Sequence, residues 1–219
     1  MSVQTTLMTG HKGVDLHAAT AVRVAARNLE GGEHLLSLNR AEYHTFWHDE
    51  GAKAPDSVAR LLGVGRFFNP NKHHYAHLEL AGSTGPWFGP EAARRGESLA
   101  EGWPGAVVDT DLADGDDVVT RLLGGSAPDG ASVVDMVTFP LGEEGPLLSG
   151  VIWRLVMAPD TPDPVAAATS LTVARSAREG LLVNPHMQGW RIALRGCSFR
   201  SRRKAWAWTR DIGVRNGAW

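Results

Sequence analysis

Histidine is the residue best placed to do chemistry in this chain, and it is unevenly spread. Eight of the nine histidines fall within the first 77 positions, and only His186 lies beyond them. The dense group is His73, His74 and His77, with His44 and His48 upstream. Imidazole titrates near neutral pH and ligates metals, so a cluster of this kind supports acid–base work or a metal site. On a β-strand alternate residues share a face. That puts His73, Tyr75, His77 and Glu79 on one face of one strand, and Glu42, His44 and His48 on one face of another. If the two faces coincide, His44, His73 and His77 with a carboxylate form a donor set suited to zinc, iron or copper. Without a metal, His44, His73 or His77 beside Glu42 or Glu79 makes a general acid–base pair. Asn69 and Lys72 are near enough in sequence to add oxyanion or phosphate contacts. The spacing matches no established zinc signature, and a solvated strand face explains Lys72, His73 and His74 equally well.

Charge marks a second region. Between Arg191 and Trp219 there are eight basic residues against one acid, Asp211, which leaves 14 basic and 23 acidic residues in the first 190. The body thus carries about −9 and the tail about +7, a split that flags an interaction surface. Within the tail, Arg200, Arg202, Arg203 and Lys204 precede Trp206 and Trp208. Arginine for phosphate and tryptophan for stacking are the ingredients of single-strand nucleic-acid binding. The alternation Ala205-Trp206-Ala207-Trp208 also fits a strand burying both rings on one face. Docking on the acidic body or a protein partner ranks first and RNA second, since a pI near 6.5 does not suit a dedicated nucleic-acid binder. The run of Asp109, Asp111, Asp114, Asp116 and Asp117 lacks the closing glutamate of a calcium loop and reads as a capping run before a helix.

Composition frames these sites. Hydrophobic content of 43% and charged content of 21% are those of a globular protein. The lone Cys197 excludes an internal disulfide and a cysteine-based zinc site. No apolar run is long enough to cross a bilayer and the first residues resemble no signal segment, so a cytoplasmic setting without membrane contact is expected. Signatures of Ser-His-Asp catalysis, phosphate loops and dinucleotide fingerprints are absent.

The elements that must hold the candidate residues follow from pattern. Helices are expected over 15–29, 55–62, 116–123 and 164–178, with Asp163 and Pro164 opening the last. Strands are expected over 34–47, 67–80, 133–139, 150–157 and 181–194. The segment 81–105, with Trp87, Phe88 and Trp103, is too aromatic for a plain linker and reads as a loop folded over a seam or ligand.

One stretch occurs twice, 115 positions apart and without a gap. Val58-Ala59-Arg60, Gly65 and Asn69-Pro70 align with Val173-Ala174-Arg175, Gly180 and Asn184-Pro185, and an aromatic follows each proline by five residues, Tyr75 and Trp190. Asn-Pro is also a common way to start a strand after a helix. Leu181, Leu182, Asn184, Pro185 and Trp190, and more loosely Phe67, Phe68, Asn69, Pro70 and Tyr75, resemble the small subunit of phosphoribosylformylglycinamidine synthase over about 25 residues per half. That resemblance implies a small α+β, non-catalytic protein that holds two enzymes together, here as a fused pair.

The expectation is therefore an α+β chain. It is a tandem duplication of a ferredoxin-like strand-helix-strand unit, packed as a pseudo-dimer. Its parts are 1–80 (first repeat), 81–105 (connecting loop), 106–195 (second repeat) and 196–219 (basic Trp-rich segment). A non-catalytic binding or assembly component is the leading function, with a protein partner or a small polar ligand. A small histidine- or metal-dependent enzyme acting on a small polar or anionic substrate is the rival, with His44, His73, His77 and Glu79 as its catalytic set. An RNA binder is third. Lys72, Arg200, Arg202, Arg203, Lys204, Trp206 and Trp208 form the phosphate- or partner-binding set.

Overall fold

The computed structural model describes residues 2–49, 59, 61–81, 106–112, 118–124, 127–141 and 147–195. The tail residues Arg200, Arg202, Arg203, Lys204, Trp206 and Trp208, the loop residues Trp87, Phe88 and Trp103, and Asp114, Asp116 and Asp117 lie outside them. The chain is mixed α+β. Its strands are β1 (Ser2–His11), β2 (Leu35–Asp49), β3 (His73–Ala81), β4 (Ala106–Thr110), β5 (Ser132–Pro140), β6 (Leu147–Met157) and β7 (Gln188–Arg195). Its principal helices are α1 (Leu16–Asn28), α2 (Val118–Leu123) and α3 (Pro164–Thr172). The strands form one sheet in the order β4-β3-β1-β2-β6-β5-β7, with every neighbouring pair antiparallel. No described helix is long and apolar enough to cross a membrane.

Both β2 and β3 run antiparallel to β1, and so parallel to each other with β1 between them; β6 and β7 flank β5 in the same way. Helical residues 61–63 lie in the β2–β3 connection, and α3 joins β6 to β7. Strand-helix-strand crossovers are therefore present, but each spans an intervening antiparallel strand.

Sequence chemistry explains the helices. Asp15 caps α1 by accepting from the His17 and Ala18 N–H groups at 2.8 and 3.3 Å. An alanine face (Ala18, Ala21, Ala25) then lies on Leu38, Trp153 and Leu155. Asp163 caps α3 through the Ala166 N–H, with Pro164 in the first turn. These two helices cover one sheet face. On the other face, α2 packs Val119, Leu122 and Leu123 over Met8, Ala41 and Tyr43.

Three expectations need correction. Helix α3 stops at Thr172 rather than running to 178, because Val173 turns extended and bridges Val183 in parallel. The strands expected from 67 and 181 begin at His73 and Gln188, because Asn69-Pro70 and Asn184-Pro185 form tight turns instead. The two turns share one hydrogen-bond set. Asn69 Oδ1 accepts from the Asn71 N–H and its carbonyl from the Lys72 and His73 N–H groups; Asn184 does the same for His186, Met187 and Gln188. The side chain four residues on accepts from each asparagine's own N–H, His73 Nδ1 at 3.4 Å and Gln188 Oε1 at 3.0 Å. Finally, β1 and β4 were not expected at all.

Under α2, the buried Asp135 carboxylate accepts from Arg154 Nε and Nη2 at 2.8 and 2.9 Å and from Arg195 Nε at 2.7 Å. Burial pushes this carboxyl up, but the two guanidinium groups outweigh it and hold it below the usual carboxylate range. Arg154 also donates to the carbonyl and hydroxyl of Thr120, which fastens α2 to the sheet. Removing the acid from such a cluster leaves buried cations uncompensated. Asp135→Ala is expected to cost about 3–5 kcal/mol in urea unfolding. A loss below about 1 kcal/mol, the size of a surface pair, would show that the cluster is not a structural keystone.

Candidate functional site

Strand register places the expected face residues together. Reading across β2, β1 and β3 on the α1 side of the sheet, the rows are Glu42–Thr9–Tyr75, His44–Leu7–His77 and Phe46–Thr5–Glu79. The faces predicted for the two histidine strands do coincide. They do not converge, because β1 runs between them and inserts Leu7 between His44 and His77. Two strand spacings, about 9–10 Å, separate the backbones that carry the two histidines. Among the described residues no three of His, Cys, Asp and Glu are grouped to hold a metal. The side chain of His48 lies outside the described residues.

The corresponding rows across β6, β5 and β7 are Val151–Thr138–Trp190, Trp153–Met136–Ile192 and Leu155–Val134–Leu194. Five of the nine residues in the first set of rows are ionisable (Glu42, His44, Tyr75, His77 and Glu79), whereas none in the second set is. Phe67 and Phe68, just ahead of the Asn-Pro turn, pack edge-on against the first-half side chains: Phe67 on His44 (4.6 Å) and Phe46 (6.2 Å), and Phe68 on Tyr75 (5.2 Å).

His44 Nδ1 lies 2.8 Å from Ser149 Oγ, and its Nε2 is buried without a hydrogen-bond partner among the described residues. Burial lowers the His44 pKa, Glu42 opposes this, and Arg66 adds to the lowering. His73 accepts a backbone N–H at Nδ1, which fixes the neutral ring with its proton on Nε2. Burial lowers its pKa too, followed by the charge of His11; Glu42 opposes, and Lys72 and Arg40 reinforce. Its ring meets His11 edge-on at 5.0 Å. His77 Nε2 stands 4.0 Å from Glu79 Oε1. Tyr75 donates to Asp109 at 2.9 Å, and burial, that hydrogen bond and the acids Asp109 and Asp111 push its phenol up to about 12. Asp111 accepts from the Tyr75 N–H at 2.8 Å, lies 3.1 Å from His74 and 3.6 Å from Lys12. The two described members of the aspartate run are thus cross-strand acceptors rather than helix caps.

The strip opens into a cleft that sequence reasoning missed. Strand β1 stops at His11, but β2 continues back to Leu35, so positions 35–40 pair with β6 alone. After His11 the chain turns into α1 on one face. On the other face α2 comes close, since Gly10 has no Cβ where one would stand 2.4 Å from the Leu122 carbonyl oxygen. The space left at the end of β1 measures about 550 Å³, the size of a small-molecule site. Ionisable side chains on its wall are His11, Asp15, Arg40, His74 and Arg121. A small cavity of about 10 Å³, lined by Thr9, His11, Arg40, Glu42 and His73, adjoins it through His11 and Arg40. Arg40 pins the two together: its Nε donates to Asp15, its Nη1 is 3.4 Å from Glu42, and its guanidinium stacks 5.9 Å over Trp153. Burial raises the Asp15 pKa, but Arg40 and the capping N–H groups outweigh it and hold the carboxyl low.

No family model, curated protein or solved structure matches this chain.

The lowered imidazoles give a pH signature. With His44 and His73 depressed in the folded chain, the unfolded chain binds more protons as pH drops below about 6.5. Stability is therefore held above that pH and declines on acidification through the folded-state values. Asp15 and Asp135, both held low, add their own loss only below the carboxylate range. Thermal unfolding from pH 7 to pH 5 is expected to show a falling midpoint, with a shallower fall in His44→Asn. Equal slopes for the two proteins would remove His44 from this account.

Proposed function

We propose that this chain is a non-catalytic binding component made of two related α+β halves packed as a pseudo-dimer, with the binding site in the first half. Three features support the duplication: the 115-position offset, the matching strand orders β3-β1-β2 and β7-β5-β6, and the shared Asn-Pro hydrogen bonds. The same offset makes Tyr75 equivalent to Trp190 and Phe67 to Leu182. On this reading the second half supplies the apolar scaffold. The first half kept a polar strip and gained α1 between β1 and β2, where β5 and β6 have only a short connection. The observation that carries the proposal is the cleft of about 550 Å³ at the end of β1.

The rival enzyme reading draws on one contact, His44 Nδ1 against Ser149 Oγ at 2.8 Å. A hydroxyl beside an imidazole is the start of a nucleophile–base pair. Its geometry is incomplete, since the other ring nitrogen is buried and no described group orients it.

Ala19 lines the cleft and makes no side-chain hydrogen bond, so Ala19→Trp fills the space without removing a polar contact. A set of small polar molecules screened by thermal shift is expected to yield ligands that stabilise the protein by several degrees. Ala19→Trp should abolish that shift, while His44→Ala and His77→Ala retain it. Ligands unaffected by Ala19→Trp but lost in His44→Ala would overturn the cleft reading and favour the enzyme.

A further inference from the structure

We infer that the cleft takes a small anionic ligand, a carboxylate or phosphate; this rests on the binding reading above and names its ligand class. The argument is an inventory of donors and acceptors. Of the five ionisable side chains on the wall, four are cationic or can become so (His11, Arg40, His74 and Arg121), and one is acidic. That acid, Asp15, is already consumed. Its Oδ1 accepts from the His17 and Ala18 N–H groups, and its Oδ2 accepts from Arg40 and lies 3.8 Å from His11. It has little capacity left to receive a ligand's donor or a cation. The carbonyls of Thr120 and Arg121 at the end of α2 are likewise engaged, by the Gly124 N–H at 3.0 and 3.1 Å. Asn39 adds an amide to the wall. Among its side chains the wall is thus richer in donors than in spare acceptors, even with Arg40 facing Glu42 and His74 facing Asp111, and the complementary ligand is one rich in acceptors.

The local field agrees with the inventory. His73, behind His11 in the adjoining cavity, is held neutral by burial first and then by the charges of His11, Lys72 and Arg40, with Glu42 the one opposing charge. Burial disfavours any charge at His73, but the cationic contributions of His11, Lys72 and Arg40 outnumber the one from Glu42, and a field of that sign attracts an anion. Lys12 extends the positive rim: its Nζ donates to the Pro70 carbonyl at 2.8 Å and lies 3.6 Å from Asp111.

The test is an NMR titration of the full chain with inorganic phosphate, succinate and citrate. The neutral isostere succinamide and sodium chloride at matched ionic strength serve as controls. Saturable shifts at His11, His74 and the backbone of 36–40 are expected with at least one of the three anions. Succinamide and chloride should produce none. Phosphate alone or the carboxylates alone would identify which anion chemistry the cleft prefers. His74→Gln with Arg121→Gln should weaken binding at least tenfold while the thermal midpoint stays within a few degrees. If that pair unfolds, His74→Gln alone should still weaken binding severalfold. Succinamide binding as well as succinate, in a manner abolished by Ala19→Trp, would overturn the anion class and leave the binding reading standing. Failure of every probe to bind the cleft, with Ala19→Trp without effect on any ligand, would overturn both.

Discussion

The constraint on which the rest of this structure depends is the pairing of β2 with β6 at the centre of the sheet. It runs from Leu35 against Met157 to Phe46 against Leu147 and joins β4-β3-β1-β2 to β6-β5-β7 in one sheet. Strand β2 must be long enough to satisfy β6 along this whole length. Its other neighbour, β1, reaches only as far as Gly10 opposite Ala41. Backbone groups beyond that point lack a strand partner on one side, and buried backbone groups demand partners or water. The chain meets this mismatch with walls rather than another strand. Helix α1 closes one face, α2 the other, and a bulge between Leu35 and Ser37 bends the overhang. The cleft is a consequence of unequal strand lengths.

Two carboxylates, Asp135 buried and Asp15 half-buried, keep those walls in place, and they act in the same way. Asp135 gathers Arg154 and Arg195, and through Arg154 holds Thr120 of α2. Asp15 gathers Arg40 and the first N–H groups of α1. Each acid fixes a helix to a strand by neutralising a strand arginine, at opposite faces of the sheet. Ion pairs of this kind add little net stability over apolar packing, but they have strong directional preferences. Their physical value here is position: they set where α1 and α2 end relative to the open edge of β2. Trp153 reinforces the α1 side by stacking under Arg40, which retains the charge while covering the ring.

Much of this architecture was legible in the sequence. The alanine run with Asp15 ahead and Gly31-Gly32 behind carries the limits of α1, and the apolar runs of β5 and β6 are plain. The alternation of His73, Tyr75, His77 and Glu79 gave the correct shared face, because β3 is regular from its first residue. Strand β1 was illegible because both its faces are buried while much of its composition is polar: Gln4, Thr5, Thr6 and Thr9 are all under 5% exposed. Alternation cannot mark a strand that is covered on both sides. The extension of α3 past Thr172 failed for a tertiary reason, since the Val173–Val183 bridge outcompetes helical propensity. The cleft has no local signal at all. Arg40, Asp15 and Arg121 are ordinary residues until strand register and two helices bring them to one wall.

The contrast between the halves bears on why the polar strip can exist. Buried imidazoles and carboxylates cost free energy unless each is partnered, whereas apolar residues at the same register positions stabilise outright. Trp153 and Ile192 take the apolar option where His44 and His77 stand in the first half. Val183 is buried in the second-half core, while its equivalent by the repeat offset, Phe68, lies against Tyr75. The strands β4-β3-β1-β2 alone, carrying the polar strip, would lack the apolar surface that β6, β5 and β7 supply to offset the desolvation. Joined through β2 and β6 to an apolar unit, they share one continuous hydrogen-bonded sheet and a core that includes α1 as well as α3. On the proposed duplication, stability and site chemistry are thereby separated between copies. The first half can hold neutral, desolvated histidines near a cleft lined by Asp15 and Arg40 because the second does not have to.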